Sequence, residues 1–313
     1  MDILWYHPAQ DGDAWLQGLQ RRIPQARVRR WQPGDSAPAE YVIARKPPPE
    51  LLKGRRSLRA VFAMGAGVDD FIEQLTHHPD MLAETVPLIR LEDCGMARQM
   101  QEYAVYSVLG WFRRFDDYRQ QQRVPLWQPL APRRREAFSI GVAGAGVLGM
   151  SVINALKSWG FPLRVWSRSL KQIDGVTAFA GPESLGAFLR GSRVLINLLP
   201  ATPETRHLFN AARFRQLPEG AFFLNLARGA QVVEEDLLDA LNSGRLKAAA
   251  LDVFEVEPLA ETHALWTHPH VSITPHIAAV TLADQAMDAI ARAIGDIEAG
   301  RPPSGCVDRL RGY

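Results

Sequence analysis

The chain has 313 residues, 47% hydrophobic and 22% charged, with 36 Lys and Arg against 34 Asp and Glu for a formal net charge of +2. That length buries a substantial core and suggests about two domains, while the near balance of charge gives no basis for binding polyanions or membrane surfaces. The two cysteines, Cys94 and Cys306, make neither a disulfide framework nor a metal-ligand motif, so a reducing compartment is expected. The opening MDILWYHPAQDGD lacks the basic and apolar regions of a signal peptide. No stretch approaches the ~20 apolar residues of a membrane helix. The expectation is a cytosolic protein.

The first hundred residues read as a small α/β unit. Short apolar runs bounded by turn signals predict strands at 2–7, 41–45, 58–64 and 86–92. The run KPPP at 46–49 ends the second of these, because proline supplies no amide donor and restricts the residue before it. From Gly95 to Gln122 the apolar residues Met96, Met100, Ala104, Val108, Trp111, Phe115 and Tyr118 fall three or four apart, predicting one long amphipathic helix. Its aromatic stripe belongs either to a core alone or to a core and a subunit interface. The proline-rich VPLWQPLAPRRREAF, 124–138, has no periodicity and reads as an extended arm.

Strand–helix alternation resumes at Phe138. Strands are predicted at 138–143, 163–167, 176–180, 193–199, 221–227, 248–253 and 270–274, with helices at 147–159, 183–190, 204–216 and 234–243 between them. Apolar strands alternating with helices argue for a parallel sheet covered on both faces. A last helix is expected at about 281–299.

The stretch SIGVAGAGVLGM contains Gly144-x-Gly146-x-x-Gly149 between a predicted strand and a predicted helix. In that context the glycines serve a tight turn, backbone approach to a pyrophosphate and close helix–strand packing, and the helix N-terminus offers amides to the phosphates. Gly144, Ala145, Gly146, Val147, Leu148 and Gly149 are therefore candidate dinucleotide contacts. About twenty residues on, where an NAD site places an acid for the ribose 2′-hydroxyl, the chain has Ser167, Arg168, Ser169 and Lys171. A carboxylate would repel a 2′-phosphate, whereas hydroxyl and cationic donors suit it. NADP(H) is the expected cofactor and Arg168 its leading reader, the alternative being an exposed loop arginine.

Three later residues carry candidate chemistry. Arg228 follows one predicted strand, Glu257 lies in the loop beyond Asp252 at the end of the next, and His276 follows another. The carboxyl edge of such a sheet is where ligand crevices form. Each also has an ordinary reading: Arg228 as a surface charge, Glu257 as a loop acid, His276 as a structural histidine. His263, His268, His270 and His276 form no HExxH or cysteine-containing metal motif, and no metal is expected.

The strings NLARGAQVVEEDLL, ALDVFEVEPL, TPHIAAVT and NLLPATPET, together with the glycine turn, resemble the D-2-hydroxyacid dehydrogenase family. AMGAGVDDF, LEDCGMARQMQEYAVYSVLGWFRRFDDYR and the closing VDRLRGY are similar to its glyoxylate/hydroxypyruvate reductase A branch, so the resemblance spans essentially the whole chain. It implies a Rossmann-type doubly wound parallel-sheet domain (98–280, with a dimerisation helix and arm at 98–135) inserted into a smaller, discontinuous, flavodoxin-like α/β substrate domain (1–97 plus 281–313). The implied reaction is NADPH-dependent reduction of glyoxylate to glycolate and of hydroxypyruvate to D-glycerate. The implied roles are His276 as general acid, Glu257 as its hydrogen-bond partner and Arg228 as the holder of the 2-oxo acid. Gly65, Ala66 and Gly67 form a backbone nest for the substrate carboxylate, Asp252 meets the nicotinamide carboxamide, and Leu199 and Pro200 line the cofactor cleft. Arg45 stands where an aromatic is expected in this branch and is a candidate second cation for the substrate. The long aromatic helix and the arm around Trp127 fit a homodimer.

The nearest alternatives are a phosphoglycerate- or D-lactate-type dehydrogenase of the same family and a non-catalytic NADP-sensing, corepressor-like protein. A short-chain dehydrogenase is excluded because no Tyr has Lys four residues on, and a P-loop enzyme because GxxxxGK[ST] is absent.

Overall fold

The computed structural model describes residues 1–9 and 12–313. The chain separates into two compact units, Met1–Gly95 with Thr281–Tyr313, and Met96–Val280.

The first unit is built on five parallel strands: β1 (Asp2–Tyr6), β2 (Arg27–Arg30), β3 (Tyr41–Ala44), β4 (Ala60–Ala63) and β5 (Leu88–Arg90). Their order, β2-β1-β3-β4-β5, is the flavodoxin-like doubly wound order. β3 and β4 are buried at every position, as central parallel strands covered on both faces must be. The period-2 alternation of a strand divides the core in two. Ile3, Trp5, Tyr41, Ile43 and Phe62 face Leu19 of helix Asp13–Arg22 and Met287, Ile290 and Ile294 of helix Ala283–Glu298. Leu4, Val42 and Val61 face Leu51, Phe71 and Met81 on the other side. The last helix therefore returns to the first unit, where Arg22 pairs with Asp284 at 3.3 Å and Asp288 at 2.5 Å. β2, RVRR, is absent from the sequence reading because it has no apolar run. It is an edge strand, where charged side chains also discourage pairing with another sheet.

The second unit holds seven parallel strands: β6 (Ile140–Ala143), β7 (Leu163–Ser167), β8 (Val176–Ala180), β9 (Val194–Asn197), β10 (Ala221–Asn225), β11 (Leu246–Leu251) and β12 (Val271–Ile273). The order β12-β11-β10-β9-β6-β7-β8 winds outward from β6 in one direction and then restarts at β9 in the other. β6 and β9 are neighbours, with Val142 opposite Ile196 and Ala143 opposite Asn197, so the topological switch point lies between them. One face packs on helices Met96–Phe112 and Val147–Lys157 through Met100, Ala104, Val108, Trp111, Val152, Ile153 and Leu156. The other face packs Leu195 and Phe223 against Phe188, Leu189 and Leu237.

Two expectations are corrected. The long helix from Gly95 to Gln122 is two helices, Met96–Phe112 and Phe115–Arg123, broken at Arg114, whose φ of 63° is left-handed. The first is pinned into the core, whereas the second has no fully buried residue, only partly buried ones such as Asp116, so Phe115 and Tyr118 leave the core stripe. Arg114 Nε donates to Asp117 Oδ2 at 2.9 Å across the break. The helix expected at 204–216 is a turn followed by the short helix Ala211–Phe214. Here local side-chain bonds compete with a helical ladder: the Thr202 amide donates to Thr205 Oγ1, which donates in turn to the Pro200 carbonyl. Phe209 then bridges to Val232 as isolated β structure. Among the described residues no helix is long and apolar enough to cross a membrane.

Candidate active site

All the candidate residues of the second unit stand at or just past the carboxyl ends of its strands, on one edge of the sheet. Gly144 follows β6 with φ +113°, and a Cβ there would collide with the Leu198 carbonyl. A Cβ on Gly149 would run into the Gly144 carbonyl. These two glycines are needed by packing alone. Gly146 differs: an added Cβ would meet no heavy atom within 4 Å among the described residues. It caps helix Val147–Lys157 in an extended conformation and without a side-chain hydrogen bond. A helix start with amides lacking helical partners, next to a position where a methyl would intrude into open space, fits a pyrophosphate group. Ala145, Val147 and Leu148 complete this turn.

The loop after β7 carries the candidate phosphate readers. Ser167 is buried and its hydroxyl donates to the Ser169 carbonyl at 2.8 Å, so it serves the turn itself. Arg168, Ser169 and Lys171 are exposed beyond it. β7 is the direct neighbour of β6, and the Gly144 amide donates to the Trp166 carbonyl at 2.8 Å, which ties this loop's base to the glycine turn.

After β11 and β12 the chain assembles an acid–base pair. His276 Nδ1 lies 2.8 Å from Glu257 Oε2, while Glu257 Oε1 accepts the Phe254 amide at 3.1 Å. An ionised carboxylate only accepts, so the geometry assigns an Nδ1 proton to this bond and leaves Nε2 outside it. The imidazole is partly exposed, at 43% of its side-chain surface. His276 has a φ of 55°, a left-handed conformation that costs a non-glycine residue and persists where the surroundings impose it. Asp252 imposes it here. The Asp252 side chain is buried; Oδ1 accepts Thr274 Oγ1 at 2.6 Å and the Ile277 amide at 2.9 Å, and Oδ2 accepts the Ala278 amide at 2.8 Å. The Asp252 carbonyl takes the His276 amide at 2.8 Å.

Arg228 follows β10 with extended backbone and is half-buried; its Nη1 donates to the Ala227 carbonyl at 2.7 Å. Gly229 beside it admits no side chain, because a Cβ would overlap the Phe254 carbonyl group. Leu199 is buried and Pro200 half-buried after β9. In the first unit, Gly65, Ala66 and Gly67 follow β4, and the Gly65 carbonyl accepts the Leu91 amide at 3.0 Å. Arg45 follows β3, exposed, with its Nη1 3.7 Å from where a Gly65 Cβ would stand. Of the four clustered histidines, His263 pairs with Glu234 at 3.2 Å and His276 with Glu257. Among the described residues no group of three His, Cys, Asp or Glu is placed to hold a metal ion.

The sequence reading passes over three buried amides. Asn197, Asn225 and Gln231 are 0–1% exposed and bonded to one another beneath the loops of Leu199 and Arg228. Their signal is present in the chain as polar residues inside apolar strand runs, VLINLLP and AFFLNLA.

A doubly wound sheet with a glycine turn at its switch point, and an imidazole–carboxylate pair on the same edge, defines a dinucleotide-dependent oxidoreductase. Residues 105–278 match the family model described as D-isomer specific 2-hydroxyacid dehydrogenase, NAD binding domain. The chain is 56% identical over 313 residues to a protein of Escherichia fergusonii named glyoxylate/hydroxypyruvate reductase A, covering 100% of both. It is 55% identical, again over both full lengths, to a Klebsiella pneumoniae protein of the same name. Among solved structures it is similar to a D-isomer specific 2-hydroxyacid dehydrogenase of Xanthobacter autotrophicus in complex with NADPH and MES (TM-score 0.93, 37% identity, 100% of this chain and 99% of that one). It is likewise similar to an NADPH-dependent glyoxylate/hydroxypyruvate reductase of Sinorhizobium meliloti in complex with NADP and sulfate (TM-score 0.90, 31% identity, 100% and 99%). The chain belongs to the D-isomer specific 2-hydroxyacid dehydrogenase family, in its glyoxylate/hydroxypyruvate reductase A branch, and is an oxidoreductase.

Proposed function

We propose that the protein reduces glyoxylate to glycolate and hydroxypyruvate to D-glycerate with NADPH. The observation that carries this reading is the His276–Glu257 pair at 2.8 Å, on the same sheet edge as the Gly144–Gly149 turn. The cofactor, when bound, supplies a hydride from nicotinamide C4 to the substrate carbonyl carbon. His276 acts as the imidazolium, with a proton on each ring nitrogen: Nε2 gives its proton to the carbonyl oxygen, while Nδ1–H stays bonded to Glu257. Arg228 neutralises the carboxylate and the developing oxyanion with its forked donors. Gly65–Gly67 and Arg45 are the substrate-binding residues of the first unit. Asp252 has filled three of its roughly four acceptor positions within the chain, and the fourth is assigned to the nicotinamide carboxamide. Arg168, supported by Ser169 and Lys171, takes the 2′-phosphate, with Ser167 shaping their turn. The NADPH- and NADP-bound relatives support the same cofactor.

The protein works in this reading as a cytosolic homodimer. Free Cys94 and Cys306 suit a reducing compartment. Tyr106, Phe115, Val124, Leu126 and Trp127 leave large apolar surface exposed on one unit, Trp127 at 97%. Light scattering that returns twice the chain mass supports the dimer, and a single-chain mass overturns it. Chiral chromatography of the hydroxypyruvate product tests the stereochemistry: D-glycerate is expected, and L-glycerate contradicts the assignment.

A further inference from the structure

Beneath the candidate site lies a polar cluster that no step above uses. Asn197 ends β9 and Asn225 ends β10, facing each other across the ladder, and Gln231 reaches them from the turn after Arg228. Asn197 Nδ2 donates to Asn225 Oδ1 at 2.9 Å and to Gln231 Oε1 at 2.6 Å. Outward, Gln231 Nε2 donates to the Leu199 and Pro200 carbonyls at 3.2 and 2.9 Å, and the Leu199 amide donates to Asn197 Oδ1 at 3.2 Å. In the other direction Asn225 Oδ1 accepts the Ala227 amide at 3.3 Å, and Asn225 Nδ2 donates to the Arg228 carbonyl at 3.1 Å. Three side chains thus bolt the Leu199–Pro200 turn to the Ala227–Arg228 turn.

Stability alone does not account for this arrangement. Burying amides carries a desolvation cost that their hydrogen bonds only offset, even where, as here, they also satisfy backbone groups of both turns. A fully satisfied network does fix relative positions more sharply than apolar packing, because each bond has direction. We infer that Asn197, Asn225 and Gln231 are positioning residues that set the spacing between the cofactor-lining turn at Leu199–Pro200 and the substrate-holding Arg228. The inference rests on the reductase reading above. Their effect falls on hydride transfer, since misplacing reactants by about 1 Å costs ~10²-fold in rate.

The test compares wild type, Gln231→Met and the double variant Asn197→Leu/Gln231→Met. It measures thermal midpoint, NADPH dissociation constant, kcat and KM with glyoxylate, and the isotope effect with NADPH deuterated at the transferred position. The expected result for Gln231→Met is a kcat lower by about 10–100-fold with an enlarged isotope effect and an unchanged NADPH dissociation constant. The double variant further strips the Leu199 amide and Asn225 Oδ1 of their bonds to Asn197, so its thermal stability and its kcat are expected to fall further. A lowered thermal midpoint with wild-type kcat, KM and isotope effect well below that midpoint would show a merely structural cluster and overturn the inference. So would weakened NADPH binding at wild-type kcat. A wild type that reduces no 2-oxo acid rejects the reductase reading itself, whereas an active wild type with an equally active Gln231→Met rejects only the positioning role.

Discussion

Glu257 Oε2 meets His276 Nδ1 at 2.8 Å although the two residues hang from different strands, and His276 is held in a left-handed conformation to make that contact. Glu257 is itself steadied by the Phe254 amide. The pair is prepared by backbone as much as by side chain, which fixes the direction of the ring before substrate arrives, as the proposed general-acid role requires. Replacing His276 by Ala should lower kcat by about 10²–10⁴. Glu257→Gln keeps the shape but not the carboxylate, and should cost about 10–100-fold in kcat with a smaller effect on KM. Steady-state kinetics with glyoxylate check both, and full turnover by His276→Ala would remove it from the mechanism.

Asp252 acts on the same loop from below. Three donors converge on its buried carboxylate, and an amide in its place would set an NH2 group against one of them. Hydrogen bonds to a charged group contribute about 1.5–3 kcal/mol each, so Asp252→Asn should lower the thermal midpoint by several degrees and reduce kcat as the Ile277–Ala278 backbone beside His276 loses part of its anchor. Calorimetry and kinetics on one preparation decide it; unchanged values in both would show that the carboxylate does not hold the loop.

Arg168 should separate the two nicotinamide cofactors. In the proposed reading Arg168 makes a charge-assisted contact to the 2′-phosphate, so Arg168→Ala should weaken NADPH binding by about 10–100-fold, leaving NADH binding almost unchanged. Fluorescence titration of both cofactors against both proteins reads the ratio. Equal losses for NADPH and NADH would point to a disturbed loop instead of a phosphate reader.

Asp116, in the second of the two helices that replace the expected single one, gives a pH-dependent signature. Burial, and then the neighbouring Asp117 charge, push its carboxyl above the ordinary value. A carboxyl with a raised folded-state pKa favours the folded state when protonated and penalises it once ionised, so its burden is greatest above the raised pKa. Asp116→Asn should therefore raise the thermal midpoint at pH 7. The gain should shrink as pH falls toward the unfolded carboxyl value of about 3.9. Melting curves at pH 7, 5 and 4 test this; a gain independent of pH would assign the effect to packing.

The strands of both sheets were largely legible because parallel strands buried on two faces are written as apolar runs, as in β4 (AVFA) and β9 (VLIN). The glycine turn was legible because its spacing is mechanical, and Arg228, Glu257 and His276 because each follows such a run. Three things were not legible, each for a physical reason. β2 pairs through its backbone with little apolar content. Arg114 breaks a helical pattern through a left-handed backbone that apolar periodicity does not register. The Asn197–Asn225–Gln231 cluster depends on strand adjacency: β9 and β10 are hydrogen-bonded neighbours, but nothing local in NLLP or NLARG says that the two asparagines face one another.

The most direct test of the central claim is a matrix of initial rates, NADPH and NADH each against glyoxylate, hydroxypyruvate, pyruvate and 3-phosphohydroxypyruvate. The account predicts fast NADPH oxidation with glyoxylate and hydroxypyruvate, and much slower rates with NADH. Preference for NADH, or turnover confined to 3-phosphohydroxypyruvate or pyruvate, would contradict it.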